Sequence, residues 1–415
     1  MSAENPTTEP SKRRRKASWK LRCLLLFLGL SAGFLLAEGL LVVAGVSYPL
    51  PYRADQYCGT GLAPNFRGWW SKEGAAEIRT NSAGFRDREH SLQKPKEVLR
   101  VAVLGDSYIE AFQVSQDEMF ASVLEDELNL HRFGGDRKVE VLSFGVSGFG
   151  TAQELLMLRH HVWQFDPDVV LLAFLPSNDL RNNSSRLESQ KLRPVFEIED
   201  DGDELVLDNS FRKEPSYQYA MSDSFRRKTL LINSSRVLQV VQSIRTGEFT
   251  DRRAGREQQD GKVSLRDRLG LDDQCFKPPA DDDWRHAWKL AERLIQQMNH
   301  EVVEHGSRFA MTVVTAGVEV TPDAAKRQRY CEALGVQDLN YANSRLSRLG
   351  QELEFPVVVL SEDMRTYAAE NEIDLHGFDN TASGEGHWNA AGHREAARLC
   401  AEHLSRIWKS EFAGE

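Results

Sequence analysis

Cysteine is scarce: five in 415 residues, none at C-x-x-C spacing. That excludes a zinc ribbon or a thioredoxin-type redox site. Cys58, Cys275, Cys331 and Cys400 lie beyond an N-terminal apolar run, where disulfide pairing and buried free thiols are both open readings. Basic clusters are missing after the first two dozen residues, and the formal net charge is -10, so nucleic acid is excluded as a partner. His300-Glu301-Val302-Val303-Glu304-His305 misses the H-E-x-x-H zinc spacing by one residue. On a helix its two imidazoles would diverge by roughly 140°. Gly145-Val146-Ser147-Gly148-Phe149 lacks the last glycine of the G-x-S-x-G nucleophile elbow. There are no internal repeats. Neither a metal nor a cofactor is expected.

What is present begins with Lys12-Arg13-Arg14-Arg15-Lys16 and a nearly unbroken apolar run over 23–46. That length crosses a hydrocarbon core of roughly 30 Å. The run exceeds a signal-peptide core and lacks an A-x-A cleavage site, so an uncleaved anchor is expected. The basic flank places residues 1–22 in the cytoplasm and the rest of the chain outside it, in a periplasm or beyond the cell. Glu38 interrupts the run; a carboxyl at that depth calls for a partner helix or a proton. Residues 47–96 form a stalk and N-terminal extension. Trp69, Trp70 and Asn81-Ser82-Ala83-Gly84-Phe85-Arg86 point to short strands and loops packed on the main domain, because aromatics at that density favour burial.

From residue 97 to 412 helical and strand patterns alternate. Apolar runs at 98–104, 139–142, 168–174, 309–314 and 356–360 predict strands. Amphipathic stretches at 120–130, 152–165, 284–305, 339–349 and 391–407 predict helices. This order predicts an α/β fold, a three-layer α/β/α sandwich around a mostly parallel sheet. An insertion at about 183–283 breaks the alternation with a β-hairpin signal around Asp200-Asp201-Gly202-Asp203. A helix is expected over 225–244, followed by a charged, mobile stretch over 246–273.

The first strand ends in Gly105-Asp106-Ser107. A serine hydroxyl is a weak nucleophile and needs a base, a group to orient that base, and donors for an oxyanion. Loops at the carboxyl edge of a parallel sheet are where such groups converge. The loop before the last helix carries Gly384-Glu385-Gly386-His387. His387 is the base candidate, and Glu385 the carboxylate for its Nδ1, with Asp379 as the alternative. Gly148 follows the second strand and offers a backbone N–H. Asn178 follows the third and offers a carboxamide. Asp106 and Asp179 read as loop braces. Asn182, Asn183 and Asn233 open N-x-S sequons.

With these blocks in this order the chain resembles the SGNH hydrolases, the GDSL-type esterase family. The resemblance covers about 97–182 and 284–407. It implies a flavodoxin-like sandwich with Ser107 as nucleophile, His387 as base, and Ser107, Gly148 and Asn178 as the oxyanion hole. In the family's third block Pro176 stands where a glycine is usual. In the last block Gly384 holds the position of the usual aspartate, so Glu385 enters as the acid. The activity implied is cleavage of an ester, an O-acyl or O-acetyl ester of a small molecule or an acylated glycan, through an acyl-enzyme. An O-acyltransferase acting on envelope or extracellular polysaccharide is a second reading, and a non-catalytic carbohydrate-binding protein a third.

Overall fold

The computed structural model describes residues 18–199, 204–247 and 273–412. The basic run at 12–16, the turn at 200–203 and all but the two ends of the charged 246–273 stretch lie outside the described residues. Helix α1 (Trp19–Val43) has a mean hydropathy of 2.1 and none of its apolar window is buried. By length and composition it is a candidate membrane span or signal sequence.

Two antiparallel hairpins follow: β1 (Tyr52–Asp55) with β2 (Gly59–Leu62), and β3 (Arg67–Trp70) with β4 (Ala76–Arg79). The alternating part then runs β5 (Val98–Gly105), α2 (Ser107–Glu110), α3 (Phe120–Leu130), β6 (Lys138–Gly145), α4 (Thr151–Met157), β7 (Val169–Phe174) and α5 (Pro176–Asn183). The insertion contributes the hairpin β8 (Val195–Ile198) and β9 (Leu205–Asp208), then α6 (Pro215–Met221), α7 (Asp223–Asn233) and α8 (Arg236–Arg245). The chain closes with α9 (Asp282–Glu304), β10 (Arg308–Val313), α10 (Gly317–Val320), α11 (Ala324–Leu334), α12 (Tyr341–Glu352), β11 (Val357–Val359), α13 (Ser361–Asn371) and α14 (Ala390–Phe412).

Strands β11, β10, β7, β5 and β6, in that spatial order, form one parallel sheet. Side chains alternate across it, as a period of two requires. Leu99, Val101 and Val103 join a core with α3, α13 and α14, while Ala102 and Leu104 join a second core with α4, α9 and α12. The result is the three-layer α/β/α sandwich. Strand β5 pairs with β6 on one side and β7 on the other. The winding direction therefore reverses at β5, and the carboxyl end at such a switch point is where doubly wound sheets bind ligands. Ser107 stands two residues past that end.

The helix expected over 225–244 is two helices. Ser235 breaks it: it has extended backbone and its hydroxyl accepts from Leu238 N, capping α8. The sequence reading missed α11 and α13, whose hydrophobic patterning is weak. All five cysteines are free, and four of them are buried.

Leu171 and Leu172 point from β7 into opposite cores and are fully buried. Leu171→Ala and Leu172→Ala should each cost about 2–5 kcal/mol, read as a lower urea midpoint of the detergent-solubilised chain. A cost below about 1 kcal/mol at either position would mean that its face lacks a packed core.

Candidate active site

Four loops meet at the carboxyl edge of the sheet. The first delivers the serine. Asp106 caps the short α2, its carboxylate accepting from Tyr108 N at 3.0 Å, which turns the chain sharply and leaves Ser107 at the first helical position. Gly105 and Gly145 lie under this turn, and a Cβ on either would collide with Ile109. Behind it, Arg86 donates to the carbonyls of Glu110, Ala111 and Val114, a cation set against the orphan acceptors of a helix end. Burial lowers the Arg86 pKa to about 10, with the Glu110 charge opposing the shift.

The second group is His387. Its loop is fastened by the bridge between His376 and Trp388, by Gly377 N donating to His387 O at 3.1 Å, and by the Tyr108 hydroxyl donating to Gly386 O at 3.0 Å. His387 Nε2 lies 2.8 Å from Ser107 Oγ, inside the range expected of a base and its nucleophile.

The third group corrects the expected acid. His387 Nδ1 is 2.5 Å from Glu73 Oε2, and His387 N donates to Glu73 Oε1 at 2.8 Å. Glu73 stands at the tip of the β3–β4 hairpin, in the N-terminal extension. Glu385 faces elsewhere, its carboxylate 3.8 Å from Lys326 Nζ. The reason is the backbone: Gly384 and Gly386 have φ of +73° and +77°, so the chain reverses around Glu385 and turns it toward α11. A Cβ on Gly386 would strike Glu73 Oε1, so glycine there admits the carboxylate. Asp379 is exposed. Its neighbour Asn380 holds the hairpin tip instead, accepting from Gly74 N at 2.9 Å and donating to Gly74 O at 3.0 Å.

These contacts set the protonation. Burial opposes charge on His387, but the hydrogen bond to Glu73 and its charge, with Asp106 and Glu110 beyond, outweigh it and raise the His387 pKa above 6.5. Burial likewise opposes charge on Glu73, and the bond to His387 overrides it, so the Glu73 pKa falls.

The fourth set comprises the donors. Among the described residues, neither Ser107 N–H nor Gly148 N–H has an acceptor. Gly148 has φ of +77°, and its carbonyl accepts from Arg193 at 2.5 Å and from Asn182 at 3.3 Å, which fixes the peptide plane. Ser147 N donates to Glu110 Oε1 at 3.0 Å, and burial raises the Glu110 pKa to about 8 against that bond and the Tyr52 hydroxyl. Asn178 Nδ2 donates to Asp106 Oδ2 at 3.0 Å, which aims the carboxamide beside Ser107 and leaves its second N–H for a ligand. Pro176 stands at the first turn of α5, where its missing N–H is harmless. Asp179 braces the loop, accepting from Leu175 N at 2.6 Å.

Two other features resolve as structural. Asp55, Cys58 and His161 lie within metal-ligand reach of one another. Asp55 Oδ1 already accepts from the Tyr57 and Cys58 N–H groups, each at 2.8 Å, and burial pushes the Cys58 thiol well up, so it is a poor source of thiolate. The sequon side chains are also engaged: Asn182 holds Gly148 O and Phe149 O, Asn233 pairs twice with the Leu50 backbone, and Asn183 is fully buried, its oxygen accepting from Ala152 N. Sequence reasoning missed Glu73. The signal available was an acid before a glycine in a short turn between two strand-like segments.

No family model matches the sequence, and no curated protein matches it. Solved structures do. A GDSL-like lipase from Bacteroides thetaiotaomicron is similar at 12% identity over 76% of this chain and 92% of that chain, with a TM-score of 0.32. A lipase/acylhydrolase from Enterococcus faecalis is similar at 12% identity over 74% and 96%, with a TM-score of 0.34. A catalytic mutant of an acetylxylan esterase from Geobacillus stearothermophilus is similar at 9% identity over 74% and 94%, with a TM-score of 0.37. At such scores the chemistry of this chain is read from Ser107, His387 and Glu73 themselves.

Proposed function

We propose that the protein is a membrane-anchored serine esterase of the SGNH type, with the triad Ser107–His387–Glu73. The observation that carries this is the continuous line from Glu73 Oε2 through both His387 nitrogens to Ser107 Oγ, with contacts of 2.5 and 2.8 Å. His387 takes the Ser107 proton as Oγ attacks an ester carbonyl, and Glu73 stabilises the imidazolium that forms. The Ser107 and Gly148 N–H groups and the Asn178 amide receive the oxyanion. His387 then protonates the departing alkoxide. Water, deprotonated by the same imidazole, releases the acid from the acyl-enzyme and restores the serine. The non-catalytic reading rests on the displaced acid and on Pro176 in the third block; the contact between Glu73 and His387 speaks against the first of these. Helix α1 holds the domain at the membrane, with the basic N-terminal flank on the cytoplasmic side and the active site across the bilayer.

Ser107→Ala should abolish covalent labelling by a fluorophosphonate; a labelled variant would overturn the nucleophile. Glu73→Gln should lower kcat about 10⁴-fold, while Glu385→Gln stays near wild type. Equal losses at the two positions would refute the choice of acid. Asn178→Ala should cost about 10²–10³ in kcat if its amide meets the oxyanion.

The pH profile supplies an independent check. His387 must be neutral to act as base, and its pKa is raised. The acid limb of kcat/KM should therefore fall above pH 6.5 and move to lower pH in Glu73→Gln. The stability linkage has the opposite sign. A raised His387 pKa contributes stability present in full below about pH 6.5 and lost as pH rises through the folded value.

A further inference from the structure

Helix α8 is built the wrong way round for water. Its polar residues Gln239 and Ser243 are 4% and 1% exposed, whereas Val241 and Ile244 are 48% and 58% exposed. With Val237 these two form an i, i+4, i+7 stripe. At the end of α7, Leu230 and Leu231 are 70% and 62% exposed. An outward apolar stripe over inward polar side chains is stable where the surroundings are not water.

The inward polar groups show what this helix pair is fixed to. Glu38 lies five residues before the end of α1, about 8 Å along the axis. It caps α8 from across the chain, accepting from Ser235 Oγ at 2.8 Å, Arg236 N at 2.6 Å and Val237 N at 3.1 Å. The acid in the apolar run thus finds its partner helix within its own chain, at that helix's positive end. Just past α1, Gln239 accepts from Tyr48 N at 2.9 Å, Asn233 exchanges two bonds with Leu50, each at 2.9 Å, and Arg236 donates to the Ser47 hydroxyl.

Helix α1 is about 37 Å long and a hydrocarbon core roughly 30 Å thick, so the Glu38 level falls at the outer boundary of the bilayer. We infer that α7 and α8 form a lipid-facing platform. Leu230, Leu231, Val241 and Ile244 enter the acyl boundary, and the exposed Arg226, Arg227 and Lys228 meet lipid phosphates. The occupant is the bilayer because the stripe begins where α8 touches the exposed apolar surface of α1. The platform fixes the catalytic domain against the membrane, so that α1 is not its only tether. This inference rests on reading α1 as a membrane anchor.

The test uses the full chain with Cys23→Ser, since the other four cysteines are buried. Single cysteines carrying a nitroxide are placed at Leu230, Ile244, Leu30 and Leu130, all exposed. The protein is reconstituted into phosphatidylcholine–phosphatidylglycerol vesicles, and collisions with oxygen and with a soluble nickel chelate are compared. Labels at 30, 230 and 244 should favour oxygen severalfold over the label at 130, which lies on α3 and should favour nickel. Nickel-favoured labels at 230 and 244, with 30 still oxygen-favoured, would overturn the platform and leave the anchor standing. Labels at 230 and 244 shielded from both reagents would show protein packed there, another segment or a second copy, and would also overturn it. A nickel-favoured label at 30 would overturn the anchor and the platform together.

Discussion

The pair between Glu73 and His387 is the contact on which the site depends. One carboxylate bonds both the Nδ1 and the backbone N–H of the same histidine. It therefore sets the tautomer, the ring orientation and the position of the loop in one step. Making that pair requires a hairpin from outside the alternating β/α part of the chain to reach the far end of the sheet. Asn380 clasps its tip, and Gly386 lacks the side chain that would block it.

The extension accordingly forms part of the candidate site. Besides Glu73 it supplies Arg86 beneath the nucleophile turn and Tyr52, whose hydroxyl donates to Glu110. Glu110 in turn holds Ser147 beside the Gly148 donor. Buried acids here position other groups: Asp106 aims Asn178, and Asp179 braces the loop behind it. Burial raises their pKa values along with that of Glu110.

The insertion acts at both ends of the molecule. Near the sheet, Arg193 locks the Gly148 carbonyl. Farther out, α7 and α8 fasten to the chain as it leaves α1. One excursion between β7 and β10 thus ties the Gly148 loop and the segment that follows α1 to a common piece of backbone.

The residues proposed as serine nucleophile, base and donors were legible from local pattern. An apolar strand ending in Gly105-Asp106-Ser107, glycines after the next strand, Asn178 after the third and His387 before the last helix are each local features. A parallel sheet brings such strand ends to one edge whatever the intervening loops do. The long apolar run of α1 was legible for the same reason, since hydropathy over a window is a local sum. The acid was not. Its partner lies 314 positions away, and the nearest carboxylate in sequence, Glu385, is turned aside by two glycines at positive φ. The partner of Glu38, nearly 200 positions distant, was hidden likewise. Sequence alone determined which residues stand at the strand ends. Which carboxylate faces His387 Nδ1 depended on two surfaces meeting in space, and only the tertiary structure decided it.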